Sequence, residues 1–77
     1  MDDRALTQAR FHGTVLWFDM AKGFGFIVPD DQPEQRVFVE HSCIDLPGYR
    51  VLSEQQRVVF TSEPEVSSAR ATWVRPL

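Results

Sequence analysis

The chain has little of what staples or steers a small protein. A single cysteine, Cys43, in 77 residues excludes an internal disulfide and suits a reducing cytoplasm. There is no basic surplus. Eight Lys and Arg face eleven Asp and Glu, a formal charge of −3, so no long-range positive field gathers polyanions and any anionic partner must be held locally. No run approaches the roughly 18 apolar residues of a membrane span, and no internal repeat or low-complexity tract is present. The N-terminal stretch Met1-Asp2-Asp3-Arg4-Ala5-Leu6-Thr7-Gln8-Ala9-Arg10 is acidic and has no apolar centre, which argues against a signal peptide or anchor. The expectation is a cytoplasmic protein with no membrane partner. Phosphate-binding loops, metal signatures and nucleophile elbows are also missing. His41 and Cys43 stand two apart without a second cysteine, a third ligand or an orienting acid, and Asp30-Asp31 beside Pro29 reads as a turn. The expectation is no enzyme, no cofactor and no small-molecule substrate.

What is present favours short strands. Valine and phenylalanine dominate the large apolar residues, and five prolines with four glycines punctuate the chain. The central stretch is Lys22-Gly23-Phe24-Gly25-Phe26-Ile27-Val28. In an extended strand Phe24 and Phe26 stand on one surface, with Gly23, Gly25 and Ile27 on the other. Val37-Phe38-Val39-Glu40-His41 repeats the logic, with Phe38 and Glu40 opposite in parity to Val37 and Val39. Pairing the two runs would set Phe38 beside Phe24 and Phe26.

Taken in order, residues 1–10 read as a polar extension, and one domain covers 11–77. A first strand spans Phe11 to Asp19 and ends at the turn Asp19-Met20-Ala21-Lys22-Gly23. The second runs from Gly23 to Val28 and stops at Pro29-Asp30-Asp31-Gln32-Pro33-Glu34. The third runs from about Gln35 to Glu40. A long loop from His41 to Ser53 follows, with one helical turn near Ser42-Cys43-Ile44. A fourth strand carries Val58 and Phe60 and closes at Ser62-Glu63-Pro64-Glu65, and the fifth spans Ala69 to Val74. Strict alternation puts Val15 and Trp17 on one face and leaves it open whether Trp17 is core or surface. Five short strands without a helix of any length imply an all-β, five-stranded antiparallel barrel, which removes exposed edges in a chain this small.

Three rings on one sheet face make a stacking platform, for which nucleobases are the natural ligands. The blocks Gly13-Thr14-Val15-Leu16-Trp17-Phe18-Asp19, Lys22-Gly23-Phe24-Gly25-Phe26-Ile27, Val37-Phe38-Val39-Glu40-His41-Ser42, Gly48-Tyr49-Arg50-Val51-Leu52 and Glu54-Gln55-Gln56-Arg57-Val58-Val59-Phe60 resemble, in order and near its spacing, the cold-shock domain of bacterial cold-shock proteins. That family has the OB-type barrel. The resemblance implies a binder of single-stranded RNA or DNA, an RNA chaperone or regulator of transcription or translation. It also implies that Trp17, Phe24, Phe26, Phe38 and Tyr49 occupy stacking positions and Lys22 a phosphate-facing one. It further implies that Trp17 points outward and Phe18 inward, through a break in alternation.

The chain departs from the family's pattern in several places. Leu16 replaces the usual lysine, Asp19 the usual asparagine, and Glu40 and His41 the usual histidine and aromatic. Ser67-Ser68-Ala69-Arg70 replaces a glycine-rich turn. Glu40 would repel phosphate, yet its carboxylate can accept hydrogen bonds from base amino or imino groups, as acids do with cytosine N4. The expected site is therefore Trp17, Lys22, Phe24, Phe26, Phe38, Glu40, His41 and Tyr49. Trp73 is expected to pack, and Arg50 and Arg75 to be solvated. A competing expectation, motivated by the charge balance and by Leu16 and Glu40, is a diverged barrel whose ring face binds a protein partner. A monomer is expected in either case.

Overall fold

The computed structural model describes residues 9–64 and 69–77. Five strands form a closed barrel: β1 (Phe11–Asp19), β2 (Phe24–Pro29), β3 (Val37–Glu40), β4 (Arg57–Pro64) and β5 (Ala69–Pro76), in the order β1-β2-β3-β5-β4. A 3₁₀ turn, His41–Cys43, follows β3. Of the polar extension expected over 1–10, residues 1–8 lie outside the described residues, as do Glu65 and the Ser67-Ser68 part of the substituted turn.

Alternating apolar residues fill the inside. Val15, Ile27, Val37, Val39, Val58, Phe60, Ala71 and Val74 come from the strands, and Ile44 and Leu52 from the long loop. Phe11, Phe18, Leu46 and Ala69 pack against them half-buried. Burying a Val, Ile or Phe side chain stabilises by about 1.5–3 kcal/mol. This strand-borne core lets a chain of this size fold.

Four strand pairs are antiparallel, whereas β3 and β5 run parallel, with Val37 opposite Ala69 and Phe38 opposite Arg70. The antiparallel expectation is corrected at this seam. The long loop carries the chain across the barrel after β3, so β5 enters beside β3 in the same direction, and Ile44 prolongs the contact with a parallel bridge to Val74. β4 and β5 also extend to Pro64 and Pro76, further than expected.

The register of β1 against β2 shifts between Val15, opposite Ile27, and Trp17, opposite Phe26. Leu16 is the extra residue of this β-bulge, which re-aims everything after it. Val15 therefore faces the core, Trp17 shares the outer face with Phe26, and Phe18 turns inward. A second shift, between Thr61 and Ser62, buries Thr61, whose Oγ1 lies 2.7 Å from Thr72 Oγ1.

Candidate nucleic-acid interface

Register alone assembles the face. Phe26 is opposite Phe38, Phe24 opposite Glu40, and Trp17 opposite Phe26, all on the outer side of the sheet. The ring centroids of Trp17 lie 5.7 Å from those of Phe24 and Phe26. Phe38 lies 5.7 Å from Phe24 and 5.8 Å from Phe26. Tilted and edge-to-face contacts at these separations lock the rings together. All four are half-buried. Gly25, between the phenylalanines, faces inward, where a Cβ would run into the Trp17 carbonyl oxygen and lie 2.8 Å from Phe18 Cα. The glycine is what lets the bulged β1 lie against β2.

The turn before β2 places the basic group. Asp19 Oδ1 accepts from the backbone N–H groups of Ala21 and Lys22, both at 3.0 Å, and the Asp19 carbonyl accepts from Gly23 N–H at 2.7 Å. Aspartate thus caps the turn with the same acceptor an asparagine would offer. Lys22 stands exposed at its end. Gly23 has φ of +79°, and its carbonyl accepts from His41 N–H at 2.8 Å. The exposed His41 ring lies against Gly23, close enough that a Cβ there would sit 2.6 Å from Cδ2. Lys22, Gly23, His41, Tyr49 and Arg50 line an open cleft of about 560 Å³. Tyr49 is 74% exposed.

The structure therefore brings Trp17, Phe24, Phe26 and Phe38 into one cluster, sets Glu40 at its edge, and gathers Lys22, His41 and Tyr49 around the cleft. Sequence reasoning missed Arg70. Its Nη2 donates to Glu40 Oε1 at 2.5 Å, and its guanidinium carbon lies 5.7 Å from the Phe38 centroid. The only local signal was a lone arginine at the start of the last strand. Arg70 meets Glu40 only through the parallel seam, thirty positions away.

Two other clusters are structural. Arg57 forks onto Asp30 at 2.7 and 2.6 Å and also donates to Thr14 Oγ1 at 2.9 Å. That hydrogen bond, with the charge behind it, holds the Asp30 carboxyl below its ordinary value and the Arg57 guanidinium above its own. Trp73 Nε1 donates to Asp45 Oδ2 at 3.2 Å, with Arg10 4.7 Å and Arg75 5.9 Å from the ring. Arg75 is not simply solvated, since it pairs with Asp45 at 3.3 Å. Among the described residues no group of three or more His, Cys, Asp or Glu side chains is placed to hold a metal ion. No helix among them is long and apolar enough to cross a membrane.

A closed five-stranded barrel with an outward aromatic cluster on β1, β2 and β3 defines an OB-type module. Comparison with known proteins fits that class. The model of the "'Cold-shock' DNA-binding domain" matches residues 11–77. The chain is 45% identical over 65 residues to "Probable cold shock protein A" of Mycobacterium tuberculosis, covering 84% of this chain and 96% of that protein. It is 46% identical over 52 residues to "Cold shock-like protein CspE" of Escherichia coli K12, covering 68% and 74%. Among solved structures, "drosophila Unr CSD456" superposes over the whole chain with a TM-score of 0.76 at 23% identity, a likeness of fold; the chain spans 31% of that longer one. The chain belongs to the cold-shock domain family. The family's domain is described as DNA-binding, and nucleic-acid binding is general to it.

Proposed function

We propose that this protein binds single-stranded RNA or DNA by stacking bases on Trp17, Phe24, Phe26 and Phe38. Lys22 contacts phosphate, and His41 and Tyr49 continue the path along the cleft. Residues 11–77 are the binding unit and 1–10 a polar extension. The observation that carries this reading is the contiguity of four outward rings at 5.7–5.8 Å separations. Each stacked base contributes about 1–3 kcal/mol whatever its identity, so binding needs little help from net charge. Such binding would keep RNA strands unpaired, the work of an RNA chaperone in the cytoplasm acting as a monomer without a cofactor.

The test uses Trp73→Phe, so that Trp17 is the sole tryptophan reporter. Titration with an oligonucleotide at low salt is expected to quench its emission, and Phe24→Ala with Phe26→Ala to weaken binding at least about 30-fold. Unchanged affinity in the double variant refutes the platform. Leu16, 37% exposed at the bulge, favours a second use of the face, docking a protein. A partner retained in pull-down after nuclease treatment supports that use, and recovery of nucleic acid alone excludes it.

A further inference from the structure

We infer that the Glu40–Arg70 pair is a base-selecting device that favours guanine at the edge of the ring face. The inference rests on the stacking function above and deepens it. Phe24 is opposite Glu40 and Phe38 opposite Arg70 in register, so a base lying on either ring turns an edge toward the pair. The contact between Arg70 Nη2 and Glu40 Oε1 fixes the carboxylate, which would otherwise range over its rotamers. It also offsets the negative charge that would repel a phosphate.

Hydrogen-bonding capacity survives the pairing. A carboxylate has about four acceptor sites and a guanidinium five N–H donors, and the contact uses one of each. With Nη2 set on Oε1, the remaining Arg70 N–H donors and the two Glu40 oxygens can present, side by side, one donor followed by two acceptors. Donor, acceptor, acceptor is also the order along the pairing edge of cytosine. Its complement is guanine, whose O6 accepts from Arg70 while N1–H and the N2 amino group donate to the carboxylate. Adenine sets its unprotonated N1 against a carboxylate oxygen. Uracil and thymine match the first two places and set O2 against the third. Cytosine, the base expected from a lone acid, sets its amino donor against the Arg70 donor. Arg70 is what moves the preference from cytosine to guanine.

The test is titration of oligothymidylate strands of about seven nucleotides, carrying at the centre guanine, inosine, adenine or cytosine. The guanine strand is expected to bind about tenfold tighter than the adenine strand, with inosine, which lacks the N2 amino group, between them. Glu40→Gln is expected to abolish the ranking and Arg70→Ala to move the preference toward cytosine, each variant shown by thermal melting to be folded and still binding oligothymidylate. Equal affinity for all four centres in the parent protein, or a ranking that survives Glu40→Gln, overturns base selection and leaves stacking standing. Failure of the parent protein to bind any strand overturns both.

Discussion

At Gly23 two requirements meet, a left-handed backbone with φ of +79° and the ring of His41 pressed against the place a Cβ would occupy. Gly23→Ala is expected to cost about 1–2 kcal/mol from the backbone alone, read as a lower denaturant midpoint, and to dislodge His41 from the cleft. Asp30 is one residue through which acid acts. Its pKa is lowered in the folded state by the Arg57 fork, so its stabilisation is fully present above the ordinary carboxylate value of 3.8 and is lost as pH falls through the folded value. Asp30→Asn is expected to flatten that acid limb of the unfolding profile. Because both side chains are about half exposed, added salt should shrink the difference. Parities around Phe24, Phe26 and Phe38 were legible in the sequence, because glycine and valine fix which side is inward. The Glu40–Arg70 contact was not, because nothing local to either residue encodes a partner thirty positions away.

Strand by strand, two departures from regularity shape the surface. The bulge at Leu16 puts Trp17 beside Phe26, something period-two reading could not settle and only the family resemblance anticipated. An inserted residue leaves no mark in composition, because it is defined by the partner strand it is out of step with. The parallel β3–β5 seam is equally invisible along the chain, since it depends on where the long loop delivers β5. Among the described residues the β3–β5 strand pairing covers Val37–Phe38 against Ala69–Arg70, with Ile44 bridged to Val74 beyond it, while β1 and β2 pair along most of their length. Native-state amide exchange should therefore show lower protection along the seam than along β1–β2, and equal protection would argue against a weak closure. Ile27→Ala, which hollows the centre of β2, is expected to cost about 2–5 kcal/mol in the denaturant midpoint without altering the m-value.

Over the whole molecule the charge balance of −3 sets how binding responds to ions. The proposed stacking mode involves few phosphate contacts, so the salt slope is expected to be shallow. Leu16→Lys, at the exposed bulge, is expected to steepen it by about 0.7 for a single strand and to raise affinity at low salt. A slope that does not change would place Leu16 away from the strand's path. Barrel closure was legible from the absence of helices and the number of short strands, whereas the direction of its last pairing was not. That narrow pairing has a consequence for storage and handling. Were the seam to unlatch, Val37-Phe38-Val39 would offer bare amides and apolar side chains to a neighbouring molecule, the makings of fibril growth. Fibrils should then begin under warming too mild to melt the rest of the barrel.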